Sequence, residues 1–248
     1  MSKCLPILDQ MPPEILEKIV GYTDTFNKFR LRQCCKYFKQ IVDDSEIVLQ
    51  QLTFNWGYSE HWASVHVKIA DHYIIKSFIA SEKPVENALA ALKFMEKVLK
   101  SQPKIRVSNL HFSTRFPSQE LEKHSEHREI VMDEVSRVFS GLEYKLPVKT
   151  LNMELISDEQ LLMSVLPHLA PGTLGELILN NLFTLDISIE LPRTVETEQW
   201  KQAKALITDN CLSIDLEKTD HFKYMKYKVD RLEVEDVKRI VEVRKFHR

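Results

Sequence analysis

The chain has 248 residues, a charged fraction of 28% and a formal net charge of −2 at pH 7. Its length accommodates a small module together with a larger domain. Because Lys plus Arg (34) nearly balance Asp plus Glu (36), the composition argues against a dedicated nucleic-acid-binding protein, which usually carries a strongly basic domain. No apolar run reaches the ~20 residues that a membrane-spanning helix needs, and residues 1–10 lack the apolar core of a signal peptide.

The usage of cysteine and glycine narrows the class of protein further. The four cysteines, at positions 4, 34, 35 and 211, show no CxxC spacing. We therefore expect a reducing, intracellular compartment, cytoplasm or nucleus, rather than a secreted disulfide framework. The five glycines form neither GxGxxG nor GxxxxGK(S/T), which excludes the two common nucleotide-binding loops. Gly172 and Gly175 come closest, without the basic residues that would bind a phosphate.

The N-terminal segment predicts a short helix, a turn and a longer helix. Pro12 and Pro13 suit a helix start, because a first-turn N–H has no acceptor within the helix and the proline ring presets φ. Gly21 is expected to end this helix, and Asp24 or Thr25 to cap the next. The apolar residues at helical spacing are Ile15, Leu16, Ile19 and Val20, and then Leu31, Cys34, Cys35, Phe38, Ile41 and Val42. A hairpin of about 40 residues rarely buries enough surface to stand alone, so some of these side chains must face the rest of the chain or a partner.

This order of residues resembles the F-box, the module by which substrate receptors dock onto the Skp-family adaptor of cullin-type ubiquitin ligases. The residues that match the family pattern are Pro12, Glu14, Ile15, Leu16, Ile19, Val20, Leu31, Cys34, Cys35, Lys36 and Phe38. Met11 replaces the usual leucine, a swap of similar volume, and residues 24–26 are the nearest equivalent of the usual Asp-Leu pair. The resemblance implies an adaptor-binding surface formed by Pro12, Ile15, Leu16, Ile19, Val20, Leu31, Cys34 and Phe38. The alternative is an ordinary helical hairpin that caps a larger domain.

An apolar triplet of the form Φ-x-x-Φ-x-Φ recurs along the rest of the chain. Its copies are Trp62/Val65/Val67, Val107/Leu110/Phe112, Val148/Leu151/Met153, Leu174/Leu177/Leu179, Cys211/Ile214/Leu216 and Val229/Leu232/Val234. The last two members alternate with polar residues, as in a half-buried strand. The copies are unevenly spaced, yet the segment from Leu174 reads like the first half of a leucine-rich repeat. The residues expected to share one core are Leu110, Leu151, Leu177, Ile214 and Leu232.

Helical segments lie between the triplets. Their predicted starts are Pro84, Ser118, a capping box at 157–160, Thr194 or Thr197, and about Glu235. The expected ends of the first three are Lys100, Gly141 and a position before Pro167, and the fourth is expected to carry Trp200, Ala203, Leu206 and Ile207. This alternation predicts parallel strands with crossover helices. The predicted fold class is α+β or α/β, with a small all-helical module followed by an irregular, leucine-rich-repeat-like α/β domain.

The C-terminal part resembles the FTH domain that follows the F-box in a large nematode family. The residues that carry the resemblance are 198–204, 212–215, His221, Phe222 and 235–237, within a similarity over roughly 85 to 245. We therefore predict an F-box module over 5–46 and an FTH-like α/β domain over 47–248. The resemblance implies a non-catalytic substrate receptor of an SCF-type ubiquitin ligase that needs no cofactor. Its implied partners are a Skp-family adaptor, through it a cullin, and a target protein that the sequence does not identify.

Several polar and reactive residues suggest other chemistry. The histidines that stand close in sequence are His61, His66 and His72, and then His124 and His127. No HEXXH motif or cysteine pair completes a zinc site, so we interpret these histidines as exposed polar residues. Cys34 and Cys35 are interpreted as small core or interface residues, and Trp200 as core rather than a ligand anchor. The basic residues that form a solvated face, which an acidic adaptor surface could meet, are Lys28, Arg30, Arg32, Lys36 and Lys39.

Two functional classes remain, neither with nucleic acid or membrane as partner. The first is an adaptor-docked ligase receptor, and the second is a plain α/β protein-interaction scaffold capped by its N-terminal hairpin. They differ in whether Ile15, Leu16 and Ile19 are exposed, because a monomer rarely leaves a contiguous apolar patch uncovered without use.

Overall fold

The computed structural model describes residues 11–23, 25–34, 36–79, 83–102, 104–115, 125–155, 159–181 and 189–228. In this part of the chain, short helices precede a mixed α/β domain built on one sheet. The helices are α1 (Pro13–Tyr22), α2 (Thr25–Cys34), α3 (Lys36–Asp44), α4 (Pro84–Leu99), α5 (Ser125–Ser140), α6 (Gln160–Val165) and α7 (Glu198–Gln202). The strands are β1 (Ile47–Gly57), β2 (Trp62–Ile69), β3 (His72–Ile79), β4 (Ile105–Arg115), β5 (Val148–Leu155), β6 (Glu176–Asn181), β7 (Ile189–Glu190), β8 (Ala205–Ser213) and β9 (Tyr224–Lys228).

Helix α1 begins at the proline pair, as predicted. Pro12 is its N-cap and Pro13 its first residue, where a missing N–H costs no intrahelical hydrogen bond. The helix continues one residue past the predicted stop at Gly21, to Tyr22. It ends there because Thr23 adopts an extended backbone conformation.

The predicted long second helix is wrong, because the segment forms two helices, α2 and α3. Nε of Arg32 lies 2.6 Å from Oδ1 of Asp43. These residues are 11 apart in sequence, and in one straight helix they would be separated by about 16 Å along the axis. The chain therefore turns back between α2 and α3, and the resulting packing buries Phe38 and Val42. A single long helix would leave part of that apolar stripe open to solvent.

The sheet has the strand order β3-β2-β1-β4-β5-β6-β8-β7, and β9 also pairs with β8. Strands β1, β2 and β3 are antiparallel neighbours. Strands β1, β4, β5, β6, β8 and β9 are parallel and follow one another in the sheet as they do in the chain. Helix α4 packs on β1–β3 and on α5, which packs on α6, so these helices line one face of the sheet. The predicted parallel strands are confirmed for β4, β5, β6 and β8, whereas β2, the strand of the first triplet, is antiparallel to its neighbours.

Two rows of apolar side chains, in register across the parallel strands, form the centre of the core. The first row is Leu52, Leu110, Leu151, Leu177 and Leu206, each 0% exposed. The second row is Phe54, Phe112, Met153 and Leu179, also buried. The expectation that Leu110, Leu151 and Leu177 share a core is confirmed. Ile214 is partly buried against this core, and Leu232 lies outside the described residues.

Strand β8 begins earlier than the sequence predicts. Helix α7 ends before Ala203, whose backbone is extended, so Leu206 and Ile207 belong to the strand and not to a helix. The register places Leu206 beside Leu177, so the leucine row reaches β8 at Leu206 and not at a member of the triplet predicted from Cys211. Pairing with β6 and β9 decides the conformation of this segment, and a local apolar period does not reveal such pairing.

The remaining predicted helices agree with the structure where it describes them. Their bounds match the predictions at Pro84, Lys100, Gly141 and Pro167. Thr197 caps α7, since its hydroxyl accepts from the backbone N–H of Trp200 at 3.2 Å. The predicted features that lie outside the described residues are Asp24, Ser118, Ser157, the strand triplet from Val229 and the helix from Glu235.

Candidate functional site

One face of helix α1 is apolar and exposed. Ile15 and Ile19 are 43% and 37% exposed, and Tyr22 is 91% exposed. With the exposed Pro12 they form what we call the outer stripe: Pro12, Ile15, Ile19 and Tyr22. Their spacing of three and four residues places them on one side of the helix. The sequence interpretation missed Tyr22, although its position three residues after Ile19 is a signal that could have identified it.

Three residues predicted to bind an adaptor are instead buried among the helices. Leu16, Val20 and Phe38 are 2%, 1% and 2% exposed, because this stripe of α1 faces α3. In the free chain these side chains hold the three helices together and form no part of the exposed surface. Of the other predicted residues, Leu31 is half-buried against the core. Cys34 is exposed, so it is not a core residue, and its thiol donates to the carbonyl of Arg30 at 3.3 Å. The predicted residues that remain accessible are Pro12, Ile15, Ile19, Leu31 and Cys34, and their binding to an adaptor stays a prediction.

The face of the sheet opposite α4, α5 and α6, which we call the open face, is lined mainly by polar side chains. Side chains alternate along each strand, so the residues between the buried rows point to this face. The first row in register across it is Thr53, His111, Asn152, Ile178 and Ile207. The second row is Gln51, Asn109, Thr150 and Glu176. Thr53, Ser64 and Ser113 on this face are only 3%, 3% and 4% exposed, whereas the other side chains of the two rows are partly exposed or exposed.

At the β1–β3 end of the open face, His66 is held by hydrogen bonds on both ring nitrogens. Its Nε2 lies 3.0 Å from Oγ of Ser64, and its Nδ1 lies 3.0 Å from the hydroxyl of Tyr73. Nδ2 of Asn55 donates to Oγ of Ser64 at 3.3 Å. Burial lowers the pKa of His66 below its usual value, so near neutral pH the imidazole is uncharged. One ring nitrogen then donates and the other accepts.

Further along the open face, His111 and Glu154 form a second polar group. Nε2 of His111 lies 3.8 Å from Oε1 of Glu154, and the hydroxyl of Ser113 donates to Oε2 of the same carboxylate. Burial lowers the pKa of His111, although the Glu154 carboxylate opposes this shift. Nδ2 of Asn180 donates to Oδ1 of Asn152 at 3.3 Å. These contacts fix the side chains in place, so that they can present a defined surface to a partner.

His61 and Gly172, which the sequence analysis noted, both lie in turns. His61 has a φ of 53°, and its carbonyl accepts from Nδ2 of Asn87 at 2.8 Å, so it shapes the turn after β1. Gly172 has a φ of 76°, in the left-handed region that glycine adopts without strain, in the turn before β6. Among the residues that the structure describes, no group of three or more His, Cys, Asp or Glu side chains could hold a metal ion. No described helix has the length and apolar character needed to cross a membrane.

Two family models match the chain. The model of the F-box domain matches residues 8–50, and the model of the FTH domain matches residues 129–245. The chain is an F-box protein with a C-terminal FTH domain. A comparison of this F-box protein with curated proteins finds no match.

In this F-box protein, the FTH match is part of a larger sheet. The F-box match contains α1–α3 and the first residues of β1, and the FTH match begins within α5 and contains β5–β9. Strand β4 lies outside both matches, yet it pairs with β5 from Val107 and Val148 to Phe112 and Met153. The backbone hydrogen bonds of the sheet therefore run across the start of the FTH match.

The Gln-Trp pair of the FTH-like motif has a structural role. Trp200 is 0% exposed, its indole N–H donates to the carbonyl of Lys218 at 2.8 Å, and its carbonyl accepts from Nε2 of His221 at 2.7 Å. The rings of Trp200 and Phe222 meet edge to face, with centroids 5.0 Å apart. Nε2 of Gln199 donates to a backbone carbonyl of the segment after α6 at 2.8 Å. The interpretation of Trp200 as a core residue is confirmed, and the motif joins α7 to the segments on either side.

A buried carboxylate, Glu159, joins the start of α6 to the segment before α7. Its side chain is 7% exposed, and it accepts from the backbone N–H and Nε of Arg193 and from the backbone N–H and hydroxyl of Thr194 at 2.7 to 3.1 Å. Burial raises the pKa of Glu159, but the hydrogen bonds from Arg193 and Thr194 outweigh it and hold the pKa below its usual value. The capping-box pattern did not reveal this role, because the partners lie 34 and 35 residues away.

We expect Glu159→Gln to lower the free energy of unfolding at neutral pH by about 1–3 kcal/mol, because a neutral amide makes weaker hydrogen bonds and accepts fewer of them. The folded-state pKa of Glu159 lies below the unfolded-state value, so its stabilisation is present above the unfolded pKa and is lost as pH falls through the folded pKa. We expect the difference in unfolding free energy between wild type and variant to be smaller below about pH 4 than at neutral pH. Urea denaturation at the two pH values measures it. A constant difference would contradict this expectation, and the exposed Glu198→Gln is the matched control.

Proposed function

We propose that this protein is the substrate-recognition subunit of an SCF-type ubiquitin ligase. The observation that supports this most directly is the F-box match over helices whose apolar outer stripe is exposed. In this proposal the helical module, over 5–46, docks onto a Skp-family adaptor and through it onto a cullin. The α/β domain, over 47–248, presents a target protein, and the complex works in the cytoplasm or nucleus.

The proposed role of the α/β domain is binding without catalysis. The transfer chemistry of such a ligase takes place on other subunits, so this chain needs to hold its target in place and does not react with it. On the open face, His66 and His111 contact Ser64, Tyr73 and Glu154 within the same sheet, as expected of a fixed polar surface. The near-neutral net charge of −2 favours a protein over nucleic acid as the target.

We also propose that the parallel strands and their helices form an irregular, leucine-rich-repeat-like arrangement. Its support is the matching order of the strands in chain and sheet, together with the leucine row that crosses β1, β4, β5, β6 and β8 in register. In such an arrangement the scaffold is rigid, and the contacts to a target lie on the open face and on the loops that follow the strands.

The alternative is a plain interaction scaffold in which the helices only cap the sheet. A capping module would cover its apolar residues against the sheet. Leu16 is covered on the stripe of α1 that faces α3, whereas Ile15 and Ile19 are exposed. The exposed pair favours the docking function, because contiguous apolar surface that remains uncovered usually marks a binding site.

We expect the double variant Ile15→Asp/Ile19→Asp to weaken binding of a Skp-family adaptor at least about tenfold, because it places charges in an interface that must be desolvated. Co-precipitation of the purified adaptor with the full chain measures this loss. The matched control is Ile130→Asp, since Ile130 on α5 is 41% exposed and lies far from α1 in sequence. Unchanged adaptor binding by the double variant would overturn the proposed docking surface.

Leu16→Asp is not a suitable test of docking, because burying a charge at a side chain that is 2% exposed would unfold the helices. The double variant also separates the two proposed roles of the chain. Proteins captured by the wild-type chain under proteasome inhibition should still be captured by the variant. Their ubiquitination in a reconstituted ligase should be lost, because only attachment to the adaptor is broken.

A further inference from the structure

Strand β3, at the edge of the sheet, carries an unusual concentration of exposed apolar side chains. Tyr73, Ile74, Ile75 and Ile79 are 50%, 40%, 54% and 77% exposed. One edge of β3 pairs with β2, and within the described residues no strand pairs with its other edge. An unpaired edge with apolar side chains is a template for a further strand.

The charged side chain in the middle of β3 is positive, and Asp71 lies in the turn just before the strand. Lys76 lies in the middle of β3, and Lys68 lies on β2 opposite Tyr73. Both lysines are exposed, and neither forms an ion pair with any residue that the structure describes. Nζ of Lys76 lies 6.0 Å from the ring centroid of Phe78, so its charge stays next to the apolar edge. An added strand with an acidic residue opposite Lys76 would satisfy that charge.

A second copy of this chain fits the edge poorly in the registers centred on Lys76 and on Ile75. Residues directly opposite each other in an antiparallel pair point to the same face, so a symmetric β3–β3 pair must be centred on a residue. Centring on Lys76 matches Tyr73 with Ile79 and Ile74 with Phe78 of the other copy, but places the two Lys76 side chains opposite each other. Like charges in that position are destabilising. Centring on Ile75 places Lys76 opposite the apolar Ile74.

We propose that β3 binds an extended segment of the target protein by strand addition, and that this segment has apolar residues flanking a central acidic residue. The main-chain hydrogen bonds of the added strand give affinity, and the side chains beside it give specificity. Apolar residues of the segment cover Tyr73 and Ile75 on one face and Ile74 on the other, and its acidic side chain pairs with Lys76. This inference rests on the proposed function, because it names the segment of the target that is captured.

The test uses the full chain and two fluorescein-labelled synthetic peptides that carry isoleucines on both faces of the strand around the central residue, which is glutamate in one and lysine in the other. Fluorescence anisotropy should show that the glutamate peptide binds more tightly. Lys76→Glu should weaken binding of the glutamate peptide about fivefold or more and reverse the preference between the peptides. The matched control is Lys93→Glu, an exposed lysine of α4, which should leave both affinities unchanged.

Three results would overturn the inference. The first is equal or absent binding of the two peptides. The second is a wild-type chain that sediments as a dimer formed through β3. The third is protection of the β3 amides from hydrogen exchange in the free monomer by another segment of the same chain. The adaptor-binding experiment distinguishes a failure of this inference from a failure of the proposed function. Peptide binding that fails while the adaptor still binds overturns only the β3 site, and loss of adaptor binding with intact peptide selectivity overturns only the ligase role.

Discussion

Trp200→Ala is expected to lower the free energy of unfolding by about 3–5 kcal/mol, the range for truncation of a buried aromatic side chain. The side chain is 0% exposed, so its removal leaves a cavity between α7 and the segment before β9. It also leaves the carbonyl of Lys218, which accepts from the indole N–H at 2.8 Å, without that donor. Urea denaturation followed by far-UV circular dichroism measures the loss.

Two further variants define what the Trp200 result means. Trp200→Phe keeps most of the ring contact with Phe222 but removes the N–H, and should give an intermediate loss. Tyr224→Ala changes an aromatic residue that is 55% exposed, and should change stability by less than about 1 kcal/mol. Equal stability of wild type and Trp200→Ala would show that the motif around Trp200 has a purpose other than holding the FTH domain together.

Leu177→Ala is expected to cost about 2–5 kcal/mol, as truncations of buried leucine do. Leu177 is 0% exposed and lies between Leu151 and Leu206 in the row that crosses the parallel strands. A cavity there removes contacts on both sides, and the neighbouring strands cannot close it without changing their register. Chemical denaturation of the purified full chain gives the change in unfolding free energy.

The control for this variant is its neighbour in sequence. Ile178 points to the open face and is only partly buried, so Ile178→Ala should cost clearly less than Leu177→Ala. The two substitutions remove apolar groups from opposite faces of the same strand. If they cost the same, or if Leu177→Ala costs nothing, the assignment of buried and open faces in β6 is wrong.

Local sequence signals predicted the elements whose conformation depends on near neighbours. The proline pair located the start of α1, and Pro84 that of α4. The triplets around Leu110, Leu151 and Leu177 located three parallel strands. Two apolar residues separated by one polar residue have the period of a strand with one buried face. The parallel order of the strands followed from the helices between them.

The errors arose where distant contacts decide the structure. The turn between α2 and α3 is stabilised by packing and by the pair of Arg32 with Asp43, and the apolar period alone continues through it. Leu206 has helical spacing from Trp200, but pairing of β8 with strands on both edges places it in the sheet. The hydrogen bonds of Glu159 to Arg193 and Thr194 are equally non-local, so no motif in the sequence revealed them.

The candidate docking surface was predicted only in part, for a geometric reason. Helix α1 has apolar residues at Ile15 and Ile19 and again at Leu16 and Val20, and each pair has the i, i+4 spacing of a helix face. Spacing shows that two adjacent apolar stripes exist, but not which of them α3 covers. The structure assigns Leu16 and Val20 to the core and leaves Ile15 and Ile19 exposed.

The pairing of β4 with β5 has a consequence for where this protein can be cut. A fragment that begins at residue 129, where the FTH match starts, would lack β4 and leave the β5 edge bare from Val148 to Met153. That edge is paired with β4 in the intact chain, and once bare it would be a template for strands of other molecules. A fragment cut at the family boundary is therefore expected to aggregate, whereas a fragment that begins at β1 keeps the pairing of β4 with β5.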